Sequence, residues 1–367
     1  MDDKEIYSYA SLDKAAQLCT KNVNWKENVT LWMADKHANL IKLSNQIANG
    51  TYRLSTPHVF HVTDPKPRTV SATPFRDRVV QRSMCMNGLY DILTKPLIYD
   101  NCACQKGKGV SFAIDRLKTH MRRFFMEEHT NQGYIVRLDI RKYFPSIPHQ
   151  KLKEVVLPDI ESPLMRHLLE MIIDESVKVK CEEDLSFNDQ GFGVRGIGLG
   201  SQISQLLALR YLSPLDHYIK ERLRVKHYVR YMDDMIMVVR TKEEAEHIFA
   251  EVDAFIQDYG LKLNPKSKVC RLDQPFEFLK MVFKLTPTGA ARHRLVRKAM
   301  LKETRRANDL CRKFKENKIS YRDLLDHTNS WFGYARSRAS SQQVRYIKAL
   351  YHKNLSSFKK VRLNKVQ

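Results

Sequence analysis

The chain has 367 residues, 43% of them hydrophobic, which leaves room for about two or three subdomains around a substantial core. Lysine and arginine total 63 against 41 acids, and the resulting net charge of +22 indicates a polyanionic partner, nucleic acid first. No uncharged apolar run approaches the ~18 residues of a membrane span. The N-terminal Met1-Asp2-Asp3-Lys4-Glu5-Ile6 has neither the basic start nor the apolar stretch of a secretion signal, so a cytoplasmic protein without membrane contact is expected.

Residues 5–50 read as helix, with Leu31, Trp32, Leu40, Ile41, Leu43 and Ile47 at three- and four-residue intervals and Asn49-Gly50 as a stop. Tyr52 to Val62 alternates like a strand, and a turn through Asp64-Pro65-Lys66-Pro67-Arg68 returns to a second strand, Thr69 to Ala72. Such a hairpin projects Lys66 and Arg68 from a rigid support. Pro74 opens a helix continued by Val79, Val80, Met84 and Leu89, with Arg76 and Arg78 adding charge beside the hairpin. The basic glycine loop Gln105-Lys106-Gly107-Lys108-Gly109 then opens a helix from Val110 to Met126, a start that favours phosphate but lacks the Lys-Ser/Thr ending of a P-loop.

Tyr134 to Ile140 is the next strand, closed by Asp139 within an apolar run where an unpaired carboxylate is expensive. Phe144 follows five residues on, before a helix from about Pro148. A stretch from Gly191 to Gly200 holds five of the 13 glycines and feeds an apolar helix, Leu206 to Leu223. Val229 to Val239 reads V-R-Y-M-D-D-M-I-M-V-V, two strand-like arms with Asp233 and Asp234 at the tip. Glu243 to Tyr259 is an amphipathic helix, Leu261 to Leu263 a short strand, Asn264 to Lys268 a turn, and Phe276 to Phe283 one more strand pair. From about Ala290 the chain turns basic, with Arg292, Arg294, Arg297, Lys298 and Lys302 assigned to helices of a nucleic-acid-gripping domain. The seven cysteines are scattered and read as reduced thiols; Cys102 and Cys104 form a C-x-C pair with no second pair at zinc-like spacing.

Asp139 at a strand end and Asp233-Asp234 at a hairpin tip suit a split carboxylate site for two divalent cations, the arrangement used in nucleotidyl transfer. The order of F-R-D-R-V-V-Q, L-D-I-R-K-Y-F-P-S-I, Y-M-D-D and F-L-K resembles that of bacterial reverse transcriptases from about Leu40 to Tyr334. That resemblance implies an α+β right-hand polymerase: an N-terminal helical extension over 1–50, fingers and the start of the palm over 51–133, an antiparallel-sheet palm over 134–288, and a helical thumb over 289–367. It implies Asp139, Asp233 and Asp234, with Ile140 beside them, as ligands of two Mg2+ ions, with Mn2+ as a substitute. Phe144 matches the aromatic gate against a ribose 2′-OH. Lys66 and Arg68, joined by Arg76 and Arg78, match residues holding the incoming dNTP, and Lys266 is the lysine assigned to the leaving pyrophosphate in a turn that also carries Lys268. Tyr231, Met232 and Phe278-Leu279-Lys280 match primer contacts, and Arg294, Arg297 and Lys298 are assigned to template RNA and cDNA. Lys280 stands where the family usually has glycine.

Leu199-Gly200-Ser201-Gln202-Ile203-Ser204-Gln205 decides the subtype. Group II intron and retron enzymes carry Q-G-x-x-x-S-P here, whereas L-G-x-x-x-S-Q is similar to the enzymes of diversity-generating retroelements. Those copy a template RNA with adenine-directed errors and work with a small accessory protein; a structured non-coding RNA is the other partner class. Leu199, Gly200 and Gln205 would then border the incoming nucleotide, and an aliphatic Leu199 could not hydrogen-bond to it. Phage-defence-associated bacterial reverse transcriptases, which share the S-Q ending, are the nearest alternative. A basic RNA-binding scaffold with a dead polymerase fold is the alternative of a different class, and the intact aspartates argue against it. About thirty residues follow Tyr334, too few for a maturase X domain or an H-N-H endonuclease, so a mobile group II intron protein is not expected.

Overall fold

A computed structural model describes residues 3–63, 68–175, 193–198 and 200–356. Four helices open the chain: α1 (Lys4–Tyr7), α2 (Tyr9–Thr20), α3 (Glu27–Ala34) and α4 (Lys36–Ala48). Ser8 caps α2 by accepting from the Ser11 amide, satisfying one of the orphan donors of a helix start. The hairpin follows as β1 (His58–Val62) and β2 (Arg68–Ala72), with Val62 opposite Arg68. The strand expected from Tyr52 begins only at His58. Tyr52 is instead buried, its hydroxyl donating to the buried Asp77 carboxylate at 2.8 Å, which takes the segment out of any ladder.

Next come α5 (Phe75–Met84), a wide turn at Cys85–Leu89, α6 (Tyr90–Thr94) and α7 (Val110–Glu128). Strand β3 (Tyr134–Leu138) leads to α8 (Tyr143–Ser146), α9 (His149–Val156) and α10 (Pro163–Asp174), then α11 (Gln202–Tyr211) and α12 (Ser213–His217). The single helix expected from Leu206 to Leu223 breaks at Leu212 and restarts with Pro214 in the first turn of α12, where a missing N–H does no harm.

The hairpin of β4 (His227–Tyr231) and β5 (Asp234–Val239) is followed by α13 (Lys242–Asp258), capped by Thr241 accepting from the Glu244 amide. Then β6 (Lys268–Arg271) joins β3, giving a four-stranded antiparallel sheet in the order β4-β5-β3-β6. The expected strand at Leu261 to Leu263 reduces to one bridge between Leu263 and Ile140, because Asn264-Pro265 turns the chain immediately afterwards and proline has no N–H for a ladder.

Strands β7 (Phe276–Phe278), β8 (Met281–Leu285) and β9 (Ala291–Leu295) form a second, three-stranded sheet, and α14 (Arg297–Lys315), α15 (Tyr321–Ala335) and α16 (Ser341–Leu355) close the described chain. Arg292 and Arg294, expected on a helix, lie on β9. Ala291 and Leu295 are buried while the two arginines face solvent, a period of two that the basic run obscures. Reciprocal capping boxes, Ser320 with Asp323 and Ser340 with Gln343, start α15 and α16.

Both faces of the four-stranded sheet are covered. Val136, Leu138, Met235 and Met237 point to one hydrophobic cluster with the N-terminal helices, α11 and α13. Ile135, Val229, Ile236 and Val238 point to the other, with α7, the second sheet and the C-terminal helices. Alternate residues thus serve opposite cores, so a slip of one residue would exchange the two sets. That constraint locks the register at the sheet end where the acids lie.

Candidate active site

Leu138 faces Met235 in the last pair of the β3–β5 ladder, so Asp139, the next residue on one strand, and Asp234, the residue before Met235 on the other, lie at the same end of the sheet. Asp234 in turn pairs with Tyr231 across the tight β4–β5 turn that carries Asp233. The three acids thus share one end of one sheet, all half-buried. Ile140, the next residue after Asp139, is buried and bridges Leu263. Among the described residues, no three His, Cys, Asp or Glu side chains are gathered closely enough to hold a metal ion. The donor set is nonetheless of the right chemistry, since hard carboxylate oxygens open to solvent suit Mg2+.

The turn after α13 is pinned to this end. Asn264 N donates to the Asp139 carbonyl at 2.7 Å, Asp139 N donates to Ser267 Oγ at 3.1 Å, and Ser267 Oγ donates back to the Asp139 carbonyl at 3.2 Å. Lys266 is therefore exposed on a turn anchored at Asp139, its own amide bound to Asn264 Oδ1 at 3.1 Å. Lys268 lies a step further away, on β6 opposite Arg137.

Phe144 sits half-buried in α8, edge-on to Tyr143 with ring centroids 5.8 Å apart. The glycine stretch is clamped to the same segment: Ile197 N donates to Phe144 O at 3.0 Å, Gly196 N to Ile147 O at 2.8 Å, and His149 Nε2 to Gly196 O at 2.7 Å. Gly200 has φ +132°, and a Cβ there would lie 2.8 Å from the Ser71 carbonyl, so only glycine lets this backbone rest on β2. Ser201 then caps α11, accepting from the Ser204 amide at 3.0 Å. Gln205 is exposed on that helix, whereas Leu199 lies outside the described residues.

Beneath the turn runs a buried polar network that the motif reading passed over. Arg230 and Asp216, both fully buried, form a two-pronged ion pair, and Tyr228 donates to the same carboxylate at 2.7 Å. Burial opposes the arginine's charge, but Asp216 more than offsets it and holds its pKa above the ordinary value. The Tyr143 hydroxyl, fully desolvated and close enough to feel Asp233 and Asp216, is pushed well above the usual phenol range. The available signal was a charged residue inside the apolar arm Val229-Arg230-Tyr231, which demands a buried partner.

A family model for reverse transcriptase (RNA-dependent DNA polymerase) matches residues 63–283. The chain belongs to the reverse transcriptase family. Among solved structures, it is similar to a Candida albicans telomerase in complex with a TWJ fragment of telomeric RNA, at 11% identity and a TM-score of 0.49, covering 90% of this chain and 67% of that one. An apo telomerase from Candida tropicalis matches at 11% identity and a TM-score of 0.51, over 83% of this chain and 57% of that one. At such identity the likeness to the second is one of fold alone. No curated protein matches.

The other residues singled out in this reverse transcriptase chain are dispersed around the sheet. Lys66 lies outside the described residues; Arg68 begins β2, and only its backbone is described. Arg76 donates to Arg53 O, Ser55 Oγ, Asp77 Oδ1 and Gln46 Oε1 at 2.8–3.2 Å and stacks on Tyr52, so its guanidinium ties α5 to the N-terminal helices. Arg78 lies over the Phe75 ring, 5.2 Å from its centroid. Tyr231 and Met232 are half-buried, with Met232 Sδ 3.9 Å from Cys104 Sγ.

Leu279 and Lys280 form the two-residue turn between β7 and β8, at φ +49° and +63°. Arg294, Arg297 and Lys298 are exposed, the first on β9 and the others at the start of α14. In the basic glycine loop, Lys108 Nζ is bound to the Tyr99 and Asn101 carbonyls at 2.9 and 3.0 Å. The six described cysteines are free thiols; Cys181 lies outside the described residues. Among the described residues, no helix is long and apolar enough to cross a membrane.

Proposed function

We propose that this reverse transcriptase family member extends a primer 3′-OH with dNTPs along a template RNA, with Asp139, Asp233 and Asp234 as the reactive centre. The observation that carries the reading is the β3–β5 register, whose last pair, Leu138 with Met235, leaves Asp139, Asp233 and Asp234 at one end of the sheet. Two Mg2+ ions held by these carboxylates and the Ile140 carbonyl, or Mn2+ in their stead, would supply charge stabilisation to the attacking and leaving oxygens. The chain's own groups do the rest. Phe144 closes on the sugar and excludes a 2′-OH. Lys266 neutralises the leaving pyrophosphate from the turn anchored at Asp139. Lys66, Arg68 and Arg78 are the cations assigned to the triphosphate, Arg76 being engaged instead by Gln46, Arg53, Ser55 and Asp77, and Gly200 and Gln205 border the base. Phe278-Leu279-Lys280 and Tyr231-Met232 hold the primer end, while Arg294, Arg297 and Lys298 grip the duplex from the thumb.

The test is primer extension on RNA with Mg2+, comparing the chain with Asp233→Ala. Extension by the chain and none by the variant is expected, and equal extension by both would remove the reading. The L-G-x-x-x-S-Q pattern supports error-prone cDNA synthesis of the diversity-generating kind, with an aliphatic Leu199 unable to hydrogen-bond to the nucleotide. Misincorporation concentrated opposite template adenines is the expected result; a flat error spectrum over the four bases would discard the subtype and leave the phage-defence relatives as the better comparison.

A further inference from the structure

Among the described residues, Arg230 heads the largest fully buried side chains, one residue before the Tyr231-Met232-Asp233-Asp234 turn. A buried guanidinium is tolerated only when its donors are satisfied. Nε and Nη2 donate to Asp216 Oδ1 and Oδ2 at 2.7 and 2.5 Å, and Nη2 also donates to Leu209 O at 3.0 Å. Nη1 is different, because at 3.0 Å it donates to the Met232 carbonyl, in the turn itself. The Arg230 backbone is gripped as well, its N–H donating to Asp100 O at 3.0 Å and its carbonyl accepting from Cys102 N at 2.9 Å.

Met232 has φ +57°, the left-handed region that side chains other than glycine disfavour. Its carbonyl belongs to the planar peptide unit that ends at the Asp233 Cα, so fixing that oxygen fixes the direction in which Asp233 leaves the turn. An ion pair that only stabilised the core would need no donor reaching the turn. We infer that Arg230 is a positioning residue for nucleotidyl transfer: Asp216 aims its guanidinium, which clasps the Met232 carbonyl and holds the strained turn in the conformation that presents Asp233. This rests on the polymerase reading only for what Asp233 does once presented.

The test uses the full chain and two readouts, one of which needs no activity. A lysine at 230 offers a point charge on a flexible stem and cannot span both the Asp216 carboxylate and the Met232 carbonyl. In Arg230→Lys, amide exchange in peptides covering Tyr231 to Asp234 is expected to accelerate about tenfold or more while β3 and α13 keep their protection. The kcat for primer extension is expected to fall about 10²-fold with the dNTP KM within about threefold, the signature of misplaced groups rather than lost binding. Unchanged exchange in the turn overturns the inference, as does a kcat within about twofold of the parent or a loss confined to KM.

Should Arg230→Lys fail to fold, the pair Arg230→Met with Asp216→Leu replaces a buried ion pair by apolar groups, a change that folds often tolerate. It also lacks the clasp, so the same two losses are expected, and a folded double variant with parental exchange and kcat refutes the role. Failure of the polymerase reading looks different: the parent chain itself extends no primer, and the exchange result still decides the inference.

Discussion

Replacing Lys280 by glycine tests how the turn between β7 and β8 is built. The two-residue connection puts Leu279 at φ +49° and Lys280 at φ +63°, the pattern of a type I′ turn, which favours Asn-Gly. An L side chain in the left-handed region costs about 1–2 kcal/mol. Glycine removes that term but returns about 0.5–1 kcal/mol through its greater freedom when unfolded. Lys280 is exposed, and its carbonyl keeps its bond from Val296 N at 3.3 Å whatever the side chain. Lys280→Gly should therefore stabilise the protein by about 0.5–1 kcal/mol, and Lys280→Val should destabilise it, because a β-branched residue fits this region worst. Urea denaturation followed by circular dichroism measures both. A less stable glycine variant, or a valine variant equal to the parent, would refute the view that backbone strain rather than side-chain contact governs this turn.

Three further outcomes follow from single sites. Gly200→Ala forces a Cβ to within 2.8 Å of the Ser71 carbonyl at a φ of +132°, so a loss of about 2 kcal/mol or more is expected in thermal denaturation, together with a raised KM for dNTP as the glycine stretch lifts from β2. Glu303 is buried in α14, and burial pushes its carboxyl up to about 7 against the opposing pull of Arg306. The folded state thus holds the proton more tightly than the unfolded one; the favourable contribution is complete below the unfolded value of 4.5 and is lost as pH rises through about 7. Glu303→Gln should match the parent at pH 4 and exceed it at pH 8 by roughly 2–3 kcal/mol, and equal denaturation midpoints at both would exclude this.

Asp100 has the opposite sign. Burial raises its pKa, but hydrogen bonds from His120 and Arg116 more than compensate and hold it at about 2. Its stabilisation is complete above the unfolded value of 3.8 and vanishes as pH falls through about 2. Asp100→Asn should cost roughly 2 kcal/mol at pH 7 and little near pH 2, which a pH series of denaturation midpoints reads directly.

Much of the fold was visible in local pattern. The arms of Val229 to Val239, the helix beginning at Pro74 and the amphipathic run from Glu243 all appear close to where periodicity set them, because each buries a face through near-neighbour spacing. The helix expected from Leu206 to Leu223 was broken locally, by Pro214. Tyr52, Leu261 to Leu263, and Arg292 with Arg294 carry weak or mixed local preferences, and their state was decided by what lies beside them in the fold: the buried Asp77 for Tyr52, the Asn264-Pro265 turn that ends Leu261 to Leu263, and the β8 edge that β9 joins.

The site divides in the same way. The chemistry of the proposed reactive centre is written in residue types, since two adjacent aspartates in a hairpin and a third closing an apolar strand have little structural use without a cation or substrate to meet. Sequence order also carried the polyanionic partner and the family, which depend on charge and on motif succession rather than on coordinates. Tertiary structure alone decided that Ser267 and Asn264 anchor the lysine turn to Asp139, that Gly200 rests on Ser71, and that Asp216 meets the Arg230 guanidinium. Each of those contacts joins segments by direction and distance, to within a few tenths of an ångström. A one-dimensional pattern specifies which groups need partners; only the closed packing of two cores on one sheet specifies which partner each group meets.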